Sequence, residues 1–167
     1  SLVREEELPF SYRETIFKFN PENKKQVFAI EFVEDNTPYY YAIEIENGII
    51  STEELYKSGL GKSKDELVYV RKTDSSKKTT IKFHDEFEKD EKSQVLKAVL
   101  LEEFVRPTKP VIRLLSKRDN KFLGHVKNAY EWFDSTLQII TPNSRPEALA
   151  HKIESDKYFR EYAEEMM

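Results

Sequence analysis

The sequence predicts an α+β fold, with a mainly antiparallel, twisted sheet of about five or six strands in the N-terminal half and helices in the C-terminal half. Three observations carry this. Apolar residues alternate with polar ones in short runs up to residue 84, the period of half-buried strands. The linkers between those runs are too short for parallel crossovers, so neighbouring strands run antiparallel. Beyond residue 90 the apolar spacing changes to that of helices, with cap residues and prolines marking their ends.

The first three strands form a meander: VFAIEFV at 27–33, YYYAIEI at 39–45 and IISTEELY at 49–56. Phe28, Ile30 and Phe32 share one face of the first strand, and Tyr39, Tyr41, Ile43 and Ile45 share one face of the second. Glu-Asp-Asn-Thr at 34–37 and Glu-Asn-Gly at 46–48 supply the turns; Asn47-Gly48 accepts the positive φ of a tight hairpin. A further short strand is expected at 15–19, closed by Asn20-Pro21. After a Gly-, Ser- and Lys-rich loop at 57–64, LVYVRK at 67–72 and TTIKFH at 79–84 flank Asp74-Ser75-Ser76 as a second hairpin.

Ser93 is the expected cap of a helix reaching Glu103, with Val95, Leu96, Val99, Leu100 and Phe104 on its apolar face and Pro107 as its stop. Thr108 is expected to cap a short helix bearing Val111, Leu114 and Leu115, with Pro110 in its first turn. Asn120 opens another, on which Phe122, Leu123, Val126, Tyr130 and Phe133 recur at helical spacing. LQIIT at 137–141 reads as a strand, Ser144 with Pro146 as the start of a last helical region, and Ser155 as a cap dividing it. The chain is expected to be a single domain over 1–167, β-rich over 1–90 and mainly helical over 91–167. DKYFREYAEEMM reaches the terminus in helical register with no Gly or Asn to close it, so both ends read as cut from something longer.

Composition excludes several classes. An apolar content of 38% supports a core. A net charge of −4 is not the basic excess of a duplex-binding domain. With no cysteine there is neither a disulfide framework nor a thiolate zinc site. No apolar run approaches the ~20 residues of a membrane span. SLVREEELPF is acidic and lacks the apolar core of a signal peptide, so a cytoplasmic protein with no membrane partner is expected.

Residue chemistry names no reaction, and no catalytic, cofactor-binding or metal-ligating residues are assigned. His84, His125 and His151 form no HxxxH or HxH pair and read as ordinary structural or surface histidines. No GxSxG elbow surrounds a serine. Glu53-Glu54, Glu102-Glu103 and Glu164-Glu165 are adjacent pairs whose side chains diverge, the pattern of solvated faces. Gly59-Leu60-Gly61-Lys62-Ser63 looks like the end of a Walker A loop, but its upstream glycine is absent and antiparallel strands flank it. Between 57 and 82, eight basic residues, Arg71 among them, outnumber Asp65, Glu66 and Asp74. If the hairpin loops adjoin, Lys62, Lys64, Lys77 and Lys78 form a basic rim and are the candidate phosphate-backbone contacts; otherwise lysines at turns and edges guard against aggregation. In Tyr39-Tyr40-Tyr41, alternation sends only Tyr40 to the far face, a weak stacking platform.

An ordered set of these segments resembles ATPases of the abortive-infection class, AAA-type proteins with an ABC-type ATPase core. It comprises FAIEF at 28–32, YYYAIEI at 39–45, Asn47-Gly48-Ile49-Ile50 and Thr52-Glu53-Glu54-Leu55-Tyr56. Leu114-Leu115-Ser116, Asn120 and Trp132-Phe133 before Ile139-Ile140 complete it. The order is similar to the middle region that such ATPases carry between Walker A and the ABC signature, and it covers most of residues 10–145. Walker A, signature, Walker B and switch histidine are all lacking, so no catalytic residue carries over. The resemblance implies an accessory or regulatory segment of a longer ATPase in phage defence, not catalytic by itself, with ATP and Mg bound elsewhere in the parent. Its implied partners are the remaining lobes of that parent, self-association, and a nucleic acid or protein. The alternative is a stand-alone protein- or nucleic-acid-interaction module.

Overall fold

In a computed structural model of the chain, the first three apolar runs are consecutive strands of one sheet: β1 (Lys25–Glu34), β2 (Thr37–Glu46) and β3 (Ile49–Lys57). β4 (Glu66–Thr73) and β5 (Thr79–Phe83) complete an antiparallel meander in the order β1-β2-β3-β4-β5. The chain divides into two compact units, Ser1–Leu137 and Gln138–Met167; the structure describes residues 25–137 and 154–165. The strands expected at 15–19 and 137–141 and the helix start at Ser144 lie wholly or largely outside the described residues.

Both tight turns need positive φ and have residues that accept it: Asp35 and Asn36 at 49° and 55°, Asn47 and Gly48 at 51° and 77°. The registers align two core-facing rows across the sheet. One is Phe28, Ile43, Glu53, Arg71 and Ile81; the other is Ile30, Tyr41, Leu55, Tyr69 and Phe83. All are apolar or aromatic except the centre of the first, where Glu53 faces Arg71 with both fully buried. Glu53 contradicts the sequence reading, which placed it on a solvated face, and Arg71, counted there among the basic residues of 57–82, is likewise buried. Period two places Glu53 in phase with Leu55 and Arg71 in phase with Tyr69, and phase, not polarity, decided where they point.

The core face is covered by the helical elements between residues 85 and 136. α1 (Asp85–Lys89) stacks Phe87 on Phe83 at 3.9 Å. α2 (Glu91–Val99) is capped by Asp90, whose carboxylate accepts from the Ser93 N–H at 3.0 Å and hydroxyl at 2.8 Å. Ser93 is therefore not the cap. It sits fully buried in the first turn, accepts from the Asn120 side chain at 2.8 Å, and so ties two helix starts together. α2 widens into a π turn, Leu100–Phe104, closed by the Val105 N–H donating to the Leu100 carbonyl.

The helix expected from Thr108 begins later, as α3 (Ile112–Ser116). Asn120 does cap, accepting from the Phe122 N–H at 2.8 Å to open a 3₁₀ turn (Lys121–Leu123) that leads into α4 (Gly124–Glu131). A π turn, Trp132–Thr136, follows. There Trp132 stacks on Phe32 at 4.3 Å and Phe133 meets Tyr41 edge-on at 5.1 Å. In the second unit, α5 (Lys157–Glu165) starts on Asp156 rather than Ser155: the Asp156 carboxylate accepts from the Phe159 N–H at 3.1 Å.

Candidate functional site

Glu53 is the hub of the polar interior. Its Oε1 accepts from the hydroxyls of Tyr41 at 3.0 Å and Tyr69 at 2.8 Å, and from the Ile112 N–H at 3.1 Å. Its Oε2 accepts from the Val111 N–H at 2.8 Å and lies 3.7 Å from Arg71 Nη1. The Val111 and Ile112 amides belong to the start of α3, where the chain supplies no side-chain cap. A carboxylate from mid-sheet takes that part, which removes two otherwise orphaned donors. Arg71 completes the tie by donating Nη2 to the carbonyls of Arg106 and Pro107 at 3.0 and 3.1 Å. Pro107 also accepts from the Ile50 N–H at 2.9 Å.

Burial shifts the partners in consistent directions. It raises the Tyr41 and Tyr69 hydroxyls well above their usual range, and the Glu53 charge raises them further. Both therefore remain protonated donors. Burial also lowers the Arg71 pKa, while the charge of Glu53 opposes that.

The segment held by this ion pair walls a cleft of about 370 Å³. Arg106, Lys109, Arg113, Lys117 and Arg118 line it beside Phe104, and no carboxylate is among its lining residues. The Arg118 guanidinium lies 4.9 Å from the centre of the Phe104 ring, a cation–π distance. Sequence reading missed this site, although a signal was there: residues 104–118 carry five cations and no acid. Their spacing crosses a helix end, a proline turn and a second helix, so no single periodicity gathers them.

The four lysines chosen from the sequence are split by topology. Lys62 and Lys64 lie in the β3–β4 loop, Lys77 and Lys78 in the β4–β5 loop, at opposite ends of β4. A strand of that length spans roughly 23 Å, so the two loops do not adjoin and the single rim does not form.

The Gly59–Ser63 run does not fit a nucleotide cradle. Lys62 and Ser63 donate their N–H groups to the Gly59 carbonyl at 2.9 and 3.2 Å, so the loop closes on itself. A Cβ on Gly59 would stand 2.0 Å from the Ser63 carbonyl oxygen, which explains the glycine without a ligand.

A second cleft, of about 520 Å³, brings His84 and His125 together with Lys57, Glu66 and Lys82. The two histidines are distant in sequence but share this wall. His125 Nδ1 is 2.9 Å from the Tyr39 hydroxyl, and His84 meets Phe122 edge-on at 5.6 Å. Partial burial lowers the His125 pKa, and Lys57 and His84 lower it further against the opposing charge of Glu66. Lys57 and Glu66 pair directly. Among the described residues no three His, Asp or Glu side chains converge as a metal site would need, and His151 is not among them. On the far face of the sheet Tyr40 stands opposite Tyr56, their rings 6.4 Å apart, a pairing the single-tyrosine reading did not foresee. Glu54 and Glu31 bear on Tyr40 there, after burial, to raise its hydroxyl pKa.

Fold and site together define an α+β domain, a five-stranded antiparallel meander with helices on its core face and a buried ion pair shaping a basic cleft. The chain matches no protein-family model, no curated protein and no solved structure. Among the described residues no helix is long and apolar enough to cross a membrane.

Proposed function

We propose that the chain is an accessory or regulatory segment of an ABC-type ATPase of the abortive-infection class, acting in phage defence and not catalytic by itself. The observation that carries this reading is where the resembling residues lie. The segments at 28–32, 39–45 and 52–56 are three adjacent strands. Glu53 binds the amides that open the helix containing Leu114-Leu115-Ser116, and Trp132-Phe133 packs on Phe32. Motifs far apart in sequence thus meet in one core, as expected of a set retained for a common framework. Their roles are structural, which suits a lobe that supports a nucleotide site rather than forming one.

On this reading ATP and Mg belong to other parts of the parent, whose remaining lobes are the chain's partners, in the cytoplasm. Titration calorimetry of the chain with Mg-ATP is expected to give no binding heat. Micromolar affinity overturns the reading, and Gly59→Ala then tests the loop first. The coding sequence on either side supplies the complementary check: a glycine-rich P-loop upstream and an Asp-Glu-bearing strand downstream are expected. The other reading, a stand-alone interaction module, draws on the basic cleft at 104–118, and flanks without those motifs favour it.

A further inference from the structure

The cleft at 104–118 combines three properties. Its charge is one-sided: Glu102, Glu103 and Asp119 flank the stretch in sequence but do not line the cleft. Its backbone is fixed from beneath by Glu53 and Arg71, two fully buried groups that hold Pro107, Val111 and Ile112. Its cations stand beside an aromatic ring, Phe104, which remains 48% exposed. Lys109 and Lys117 make no side-chain hydrogen bond or ion pair with the described residues, so their charge is available to a ligand.

We propose that this cleft binds single-stranded nucleic acid, with backbone phosphates against Lys109, Arg113 and Lys117 and one base against Phe104. Charge alone would accept any anion. The half-exposed ring selects among them, because a flat base gains from stacking on an aromatic face next to guanidinium, and a carboxylate does not. A duplex keeps its bases stacked inward and cannot use the ring. The cleft volume lies at the small end of the range for ligand pockets, roughly 300–1,000 Å³, enough for one nucleotide unit. The site is independent of the ATPase reading and stands whether or not that reading holds.

The test is fluorescence anisotropy with a labelled oligothymidylate of about ten nucleotides at about 50 mM salt, using the full chain. Lys109→Gln with Lys117→Gln should weaken binding roughly tenfold and reduce the log–log salt slope by about 1.4, the value for two single-strand phosphate contacts. Lys62→Gln with Lys64→Gln removes the same charge from a distant loop and should change affinity less than about twofold. Phe104→Leu should cost about fivefold or more while leaving the salt slope unchanged. Inorganic phosphate and a mononucleotide serve as competitors. Four results overturn the proposal: no binding by the wild type, equal loss from both lysine pairs, a duplex bound as tightly as the single strand, or displacement by phosphate at the oligonucleotide's own concentration. Photocrosslinking of a bromodeoxyuridine oligonucleotide to the unmutated chain needs no variant. A crosslink within 104–118 is expected, and one confined to other peptides rejects the site.

Discussion

A carboxylate placed inside a sheet must regain through hydrogen bonds the solvation it has lost, and Glu53 does so with two hydroxyls and two backbone amides. Arg71, at 3.7 Å, adds charge but no hydrogen bond to it. This arrangement differs from a simple buried ion pair, which well-packed apolar residues can often replace without loss. Glu53→Leu should destabilise the fold by about 3–5 kcal/mol, because it strands a buried guanidinium. Adding Arg71→Met removes the stranded charge but not the orphaned Val111 and Ile112 amides. At about 1–3 kcal/mol for each unsatisfied buried group, the double variant should stay less stable than wild type. Urea denaturation of the two single variants and the double variant checks both statements. A double variant as stable as wild type would show that the amides find other partners and that Glu53 is not the cap of α3.

At the scale of elements, the join between the second half and the sheet has its own reporter. Trp132 is the only tryptophan in the chain, and it stacks on Phe32 of β1 while Phe133, beside it, meets Tyr41 of β2. Phe32→Ala should cost about 3–5 kcal/mol and shift the tryptophan emission to the red, since one face of the indole loses its cover. In urea, tryptophan emission and far-ultraviolet circular dichroism should report one coincident transition; separate midpoints would show that the π turn undocks before the sheet unfolds. The meander was legible in the sequence because each strand alternates and each turn carries Asn or Gly where positive φ is needed. The helix starts were less so. Ser93 reads as a cap from the sequence, but Asp90 holds that position, and both residue types favour it. The start of α3 could not be read locally, because its cap is 58 residues away in β3. The cleft was hidden for a related reason: β4 separates the chosen lysine loops, while a proline turn and two helix ends gather the cations that no periodicity groups.

For the whole molecule, the titrating groups predict how stability responds to acid. Lys97, the Phe83 N–H and Gln94 together outweigh burial and hold the Glu88 carboxyl below its usual range. Hydrogen bonds from Ser93 do the same for Asp90, those from Ser76 and the Lys78 N–H for Asp74, and Lys57 for Glu66. A carboxyl whose folded pKa is depressed contributes stability that is full above its unfolded pKa and is lost as pH falls through the folded value. His125 acts in the same direction. Its pKa is lowered on folding, so the unfolded chain takes up the proton first as pH drops below the ordinary value of 6.5. Glu54 opposes them, because burial and then Glu44 raise its pKa, and the folded chain gains relative stability when it protonates. With one group against five among the described residues, the melting temperature should hold near neutral pH, begin to fall below about pH 6.5 and fall faster below about pH 4.5. Glu88→Gln isolates the best-defined contributor. It should lower the melting temperature at neutral pH and converge on wild type in acid, once the pH has fallen through the depressed folded value and protonation has removed from wild type the charge that the variant lacks. Differential scanning fluorimetry across this range reads both curves. Parallel curves separated by a constant gap would mean that Glu88 acts through packing, and that its pairing with Lys97 contributes no pH-dependent stability.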